Sequence, residues 1–128
     1  MVDLHVITDS AANLFTLRGA DHRVTVVPNR ITLGGKTYRE GVDISHEELL
    51  RLMNRSKAQP SIIPPTEADY AKAYAHALRH SAAVLSIHTS REMTQNWYNA
   101  RKAAQPLMAN SAIAVIDSRS ICVAQGLL

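Results

Sequence analysis

Small polar residues follow three apolar runs of the sequence, at the point where each run stops. These groups are Thr8–Ser10, Ser86–Ser90 and Asp117-Ser118. Hydroxyl, carboxylate and imidazole side chains donate and accept hydrogen bonds, and histidine also titrates near neutral pH. We therefore expect any binding or acid–base chemistry of this chain to come from these residues.

The apolar runs themselves predict buried strands over Val2–Thr8, Ala82–Ile87 and Ala112–Ile116. Short continuous apolar runs are typical of strands buried on both faces, as in a parallel sheet. In an open α/β sheet, ligands bind in the crevice outside the carboxyl ends of the strands. The polar groups are thus predicted to meet at that edge.

The other elements follow from local signals. A further strand is predicted over Arg23–Val27, and a hairpin pairs Arg30–Leu33 with Lys36–Arg39 across Gly34-Gly35, a two-residue turn signal. Capping residues predict helices from Ser45 to about Arg55, from Thr66 onward, from about Thr94 to Met108, and from Ser10 or Asn13 through Leu17. A capping side chain satisfies backbone N–H groups that the first helical turn leaves free.

The segment Gln59–Pro65 contains three prolines. Proline removes a backbone donor and fixes φ, so this segment is predicted to be a stiff loop without regular structure. The helix that follows carries Tyr70, Ala71, Tyr74, Ala77 and Leu78 on one face, which predicts that this face is buried.

Alternating strands and helices predict an α/β fold, a three-layer α/β/α domain with a mostly parallel sheet and a small β-hairpin. A length of 128 residues fits one domain, and 46% hydrophobic with 20% charged residues is ordinary for a globular protein.

Composition also argues against several classes of function. The net charge of +3 is scattered and aromatic residues are only 5%, so nucleic-acid binding is not expected. Cys122 is alone and no zinc-ligand spacing occurs. No apolar stretch approaches the ~18 residues of a membrane span, and no signal-peptide pattern is present. These features predict a cytoplasmic, soluble protein without a metal or cofactor.

Asp9, Ser86 and His88 suggest an enzyme as one alternative. A small hydrolase or phosphotransfer enzyme would use Asp9 or Ser86 together with His88. Ser86 and His88 share a strand face, but the sequence shows no evident acid partner and no G-x-S-x-G elbow. Ala11 stands where a phosphatase would place its second aspartate. The structural alternative is that Asp9 and Ser10 bind loop backbone and cap the next helix.

Four blocks of the sequence resemble the DegV family, in the family's order. They are Ile7-Thr8-Asp9-Ser10-Ala11-Ala12, Tyr38–Ser45, Leu85–Thr94 and Val115–Ser120. The resemblance covers nearly the whole chain and corresponds to the N-terminal domain of a two-domain family. It implies a non-catalytic protein that holds one long-chain fatty acid between its domains. In bacterial fatty acid kinase, such a subunit presents the acyl carboxylate to a separate ATP-dependent kinase.

The resemblance also implies where the ligand lies. Thr94 matches a carboxylate-binding serine of the family, although it could instead be only a helix cap. The family's hydroxyl-rich run aligns with Ser61-Ile62-Ile63-Pro64, where two isoleucines replace hydroxyl donors. The residues expected to line or border the ligand are Thr8, Ser10, Ser61, Ile62, Ile63, His88, Thr89, Ser90 and Thr94.

The last residues, Arg119–Leu128, start like a helix but end on two leucines without a cap. We therefore expect residues 1–128 to be an N-terminal α/β domain that lacks a C-terminal lipid-binding domain. If that domain supplies the other wall of the site, this chain alone exposes an apolar patch and tends to self-associate.

Overall fold

The computed structural model describes residues 3–12 and 23–120. Their strands are β1 (Leu4–Asp9), β2 (Val24–Val27), β3 (Arg30–Leu33), β4 (Lys36–Arg39), β5 (Ser61–Ile63), β6 (Ala83–His88) and β7 (Ala112–Asp117). Their helices are α1 (His46–Ser56), α2 (Glu67–Leu78) and α3 (Asn96–Ala104), with short 3₁₀ turns at Ser10–Ala12 and Gln105–Leu107.

The described strands form two sheets. Sheet A has the order β2-β1-β6-β7 and is parallel throughout, with Ile7 of β1 opposite Thr25 of β2 and Ser86 of β6. Sheet B has the order β4-β3-β5 and is antiparallel. The predicted α/β fold, mostly parallel sheet and hairpin are therefore confirmed.

The hydrophobic core lies between sheet A and helices α2 and α3. Tyr70, Tyr74 and Ala77 of α2 are buried, and Ala71 and Leu78 pack against the same cluster, as predicted. On α3 the buried core residues are the alanines Ala100, Ala103 and Ala104. Such small side chains let a helix approach its neighbours closely. Thr66 caps α2 in a capping box with Asp69, which confirms the predicted start of this helix.

The prediction that Gln59–Pro65 lacks regular structure is wrong. Ser61–Ile63 form β5, which pairs with β3 and places Ile62 opposite Ile31. The prolines flank this strand instead of occupying it, so its own N–H groups remain available. Because β5 is an edge strand, prolines beside it cost no ladder hydrogen bond.

The helices after β1 and β6 differ from the expected bounds. Ser10–Ala12 form a 3₁₀ turn, and the rest of the predicted helix through Leu17 lies outside the described residues, as does the chain after Ser120. Helix α3 begins at Asn96 and gives way to a 3₁₀ turn that contains Pro106. The α-helix therefore ends before the predicted Met108, because proline cannot continue the α-helical hydrogen bonds.

Candidate functional site

A groove of about 460 Å³ opens beyond the carboxyl ends of β2 and β6. The residues that line it come from the loop after β2, from β5 and its flank, and from the loop that leads into α3: Asn29, Ile62, Pro64, Arg91, Glu92, Met93, Thr94, Gln95 and Asn96. Its volume is within the range of about 300–1,000 Å³ that ligand clefts have. Its place is the crevice where open α/β sheets bind ligands.

One wall of the groove is apolar and accessible. Ile62 is 66% exposed and Met93 is 63% exposed, and Pro64 lies in the same lining. Large apolar side chains that stay this exposed at a concave surface are typical of an interaction site. The two predicted residues on either side of Ile62, Ser61 and Ile63, are exposed on β5 but do not line the groove.

The other wall contains the N-terminus of α3. Thr94 lies two residues before the helix, and its Oγ1 accepts a hydrogen bond of 3.3 Å from the backbone N–H of Asn96. Gln95 occupies the capping position, but its side chain makes no capping hydrogen bond. Thr94 is thus not the N-cap. The first N–H groups of a helix and its dipole favour an anion at this end.

Asn96 is a lining residue that the sequence analysis missed. Its side chain is 1% exposed, and Nδ2 donates to Asn29 Oδ1 at 3.4 Å. Its Oδ1 is buried without a hydrogen-bond partner among the described residues. An unpaired buried polar atom is costly, so this oxygen is free to accept from a ligand or water. An asparagine at a helix start gives no sequence signal of this role.

Arg91 supplies a positive charge at the groove. Its Nε lies 3.5 Å from Asp117 Oδ2, and its guanidinium stands 5.5 Å from the centre of the Trp97 ring. The side chain remains 49% exposed, so the ion pair is a weak surface contact. Glu92 lies beside it in the lining and carries the opposite charge.

Beneath this loop lies a chain of buried polar side chains that we call the buried relay: Tyr74, Ser86, His88 and Asp9. Tyr74 Oη lies 2.8 Å from Ser86 Oγ, and Ser86 Oγ lies 2.5 Å from His88 Nε2. His88 Nδ1 lies 2.9 Å from Asp9 Oδ2. All four residues have 0% exposure. The relay is therefore closed to solvent.

Asp9 is held as an anion by its neighbours. Burial raises the pKa of Asp9, but the hydrogen bond and charge of His88, with hydrogen bonds from Asn96 and Thr89, outweigh burial and leave the pKa below its usual value. Its Oδ1 also accepts from the Ala11 N–H at 3.0 Å and from Thr89 Oγ1 at 3.1 Å. A carboxylate with this many donors is stabilised in its charged form.

Burial raises the pKa of Tyr74 to about 12, although the hydrogen bond with Ser86 acts in the opposite direction. The phenol therefore keeps its proton throughout the neutral range. The pKa of Tyr70 is raised well above its usual value, first by burial and then by the charge of Asp9. The rings of Tyr70 and His88 pack edge to face, with 5.0 Å between their centroids. This contact helps to enclose the relay.

The other predicted site residues hold the surrounding structure. Thr8 Oγ1 donates to the Ile87 carbonyl, and Ser90 Oγ accepts from the Glu92 N–H. Ser10 Oγ donates to Glu40 and accepts from the Asn29 N–H at 2.8 Å.

Of the predicted residues, the structure brings Thr94 and Ile62 together in the groove. Thr8, Ser10, His88, Thr89 and Ser90 lie behind its lining.

The sequence analysis found no evident acid partner for Ser86 and His88, and that inference is wrong. Asp9 supplies the carboxylate, because β1 and β6 are neighbours in sheet A and both residues stand at their carboxyl ends. The connectivity is that of a Ser-His-Asp triad. Ser86 is nevertheless fully buried, and Tyr74 occupies a hydrogen-bonding position on its Oγ. Within the described part of the chain, this oxygen is therefore enclosed and not presented to a substrate carbonyl.

No helix formed by residues 3–12 and 23–120 is long and apolar enough to cross a membrane. Within the same ranges, no group of three or more His, Cys, Asp or Glu side chains could hold a metal ion.

Fold and groove together define an α/β domain with a ligand-sized crevice at the carboxyl edge of a parallel sheet. The profile of the family described as "Uncharacterised protein, DegV family" matches residues 3–128. The chain belongs to the DegV family. A DegV domain-containing protein of Deinococcus radiodurans is 33% identical over 126 residues, which are 98% of this chain and 44% of that protein.

Two solved structures are similar in fold. A DegV family protein from Thermus thermophilus, described with fatty acid binding, has a TM-score of 0.84 and 27% identity over 98% of this chain and 44% of its own. A stearic acid-binding protein from Eubacterium ventriosum has a TM-score of 0.86 and 26% identity over 97% of this chain and 44% of its own. The chain thus spans less than half the length of these relatives.

Proposed function

We propose that this chain is part of a non-catalytic protein that binds one long-chain fatty acid in the groove. The observation that supports this most directly is the pairing of an apolar wall, Ile62, Pro64 and Met93, with a helix N-terminus in one concavity. An acyl chain gains free energy by leaving water. A carboxylate is favoured at the N-terminus of α3, where Thr94 adds a hydroxyl donor.

The relatives support the same ligand class, since those from Thermus thermophilus and Eubacterium ventriosum are described as binding fatty acid and stearic acid. We further propose that residues 1–128 act as an N-terminal domain and that a second domain completes the site. The bound carboxylate would then be presented to a separate ATP-dependent kinase in the cytoplasm. Tests of ligand binding therefore use the full-length gene product as well as this chain.

Native mass spectrometry of the protein purified from bacteria, followed by denaturation and lipid extraction, tests the proposal. We expect one fatty acid per full-length protein and less or none on residues 1–128 alone. Thr94→Val should lower occupancy, whereas Thr94→Ser should keep it, because serine retains the hydroxyl. A full-length protein that carries no lipid and takes up no added stearic acid would overturn the proposal.

The Ser86–His88–Asp9 connectivity favours a hydrolase as the second candidate. Its burial argues against this function, because a nucleophile must reach its substrate. A fluorophosphonate probe separates the two candidates: a lipid carrier leaves Ser86 unlabelled. Labelling of the folded protein that disappears in Ser86→Ala would favour the hydrolase.

A further inference from the structure

For a neutral imidazole at His88, the hydrogen bonds of the buried relay admit one consistent order of donors. Asp9 is ionised and can only accept, so His88 donates to it through Nδ1–H. A neutral imidazole then accepts at Nε2, which makes the hydroxyl of Ser86 the donor there. Ser86 Oγ in turn accepts from the hydroxyl of Tyr74. Each of the three protons therefore forms one hydrogen bond, and in each bond the donor is the group farther from Asp9 along the relay.

Asp9 also connects the relay with the loop that forms the groove. Its carboxylate accepts from Thr89 Oγ1 at 3.1 Å and from the Thr89 N–H at 3.4 Å. The next residue is Ser90, whose carbonyl accepts the N–H groups of Met93 at 2.9 Å and Thr94 at 3.2 Å. Met93 and Thr94 line the groove. The buried carboxylate is therefore connected to the lining of the groove in two steps: Asp9 binds Thr89, and the neighbouring Ser90 binds Met93 and Thr94.

The start of α3 depends on this support. Gln95 at the capping position makes no side-chain hydrogen bond to the helix, and the side-chain acceptor at its first N–H is Thr94 Oγ1, at 3.3 Å from the Asn96 nitrogen. Asn96, the first residue of α3, is buried and hydrogen-bonds toward Asp9 and Asn29. The hydrogen bonds of Asn96 with Asp9 and Asn29 therefore hold the N-terminus of α3 in position.

We propose that His88 is a positioning residue for the fatty acid head group. Its Nδ1–H orients the Asp9 carboxylate, and Asp9 holds the loop Thr89–Thr94 and the start of α3 in the geometry that receives the ligand. His88 itself does not touch the ligand. The inference rests on the proposed function, because its readout is affinity for a fatty acid.

Three substitutions in the full-length protein test this role, with stearic acid as the probe. His88→Leu removes the donor to Asp9, and we expect affinity to fall at least about tenfold. His88→Asn places an amide nitrogen where Nδ1 stands, so it should retain affinity within roughly threefold. Val84→Ala is the control, since Val84 is buried on the same face of β6 but outside the relay. It should lower stability yet keep affinity.

The outcomes separate this inference from the proposed function. Absence of stearic acid binding by the wild-type protein would overturn both. Equal loss of affinity in Val84→Ala and His88→Leu would overturn the inference alone, because any core defect would then suffice. Failure of His88→Asn to retain affinity would also overturn it. Nitrogen NMR of the wild-type protein is independent of any variant: the proton must lie on Nδ1 of His88, and a proton on Nε2 alone contradicts the proposal.

Discussion

The buried relay and the groove lie next to each other, yet the relay is hydrogen-bonded throughout whereas the groove keeps a buried polar atom unpaired. In the relay, Asp9, Ser86 and His88 are fully buried and each makes hydrogen bonds within the protein. In the groove, Asn96 Oδ1 has no partner among the described residues, and Gln95 at the capping position of α3 makes no side-chain hydrogen bond to the helix. The unpaired Asn96 oxygen, more than the reactive residue types of the relay, supports the groove as the proposed ligand site.

The largest expected effect comes from a substitution in the buried relay. Asp9→Ala removes an acceptor that His88, Thr89 and Ala11 share, and it leaves the Nδ1–H of His88 buried without this carboxylate. We expect the free energy of unfolding to fall by about 3–5 kcal/mol, as when one partner of a buried pair is lost. Urea denaturation measures this change. Asp43→Ala is the control, because Asp43 forms an exposed ion pair with Arg39 and its loss should have little effect.

Acid should remove part of the same stabilisation. The pKa of Asp9 is below its usual 3.8, chiefly because His88 offsets burial. The stabilising contribution is therefore complete above the unfolded-state pKa and is lost as pH falls through the lower folded-state pKa. Urea denaturation between about pH 7 and about pH 2.5 should show a fall below about pH 4. The titratable groups that face Asp9 are His88 and Tyr70. A stability curve no steeper than that of Asp9→Asn would contradict the assignment.

In the groove, Ile62→Ala should lower the affinity for a fatty acid but leave the free energy of unfolding nearly unchanged. Ile62 is 66% exposed without ligand, so folding gains little from it. Covering its side chain with an acyl chain would bury apolar area, and its loss should weaken fatty acid binding about tenfold, or ~1.4 kcal/mol. Leu50→Ala is the matched control, since Leu50 is 60% exposed on α1 and does not line the groove. Equal affinities of the two variants would mean that the acyl chain does not lie along β5.

The sequence was sufficient to predict elements whose signals are local. The pair Gly34-Gly35 predicted the hairpin, and both residues adopt positive φ, which glycine permits at no steric cost. Thr66 and Asp69 predicted the start of α2 through a capping box. In each case the residues that form the contact lie within a few positions of one another, so the pattern can be found without knowing the fold.

Contacts between distant parts of the chain were not predictable in this way. Asp9 and His88 are 79 positions apart, and only the pairing of β1 with β6 shows that one completes the environment of the other. β5 was missed for the same reason, because its partner β3 lies about 30 residues earlier and the flanking prolines argued against a strand. Asn96 became a candidate only when its burial and its unpaired oxygen were visible.

The smallest expected effect, that of Tyr74→Phe, tests whether the two regions are coupled along the whole relay or only at Asp9. The substitution removes the donor of Ser86 and should cost about 1 kcal/mol of unfolding free energy, the usual contribution of one hydrogen bond. Because the bond from His88 to Asp9 remains, the affinity for stearic acid should not change. In a double-mutant cycle with Ser86→Ala, the two substitutions should be less than additive in stability, since they break the same hydrogen bond. A loss of affinity in Tyr74→Phe as large as that in His88→Leu would show that the groove depends on the entire buried chain, and positioning could then no longer be assigned to His88.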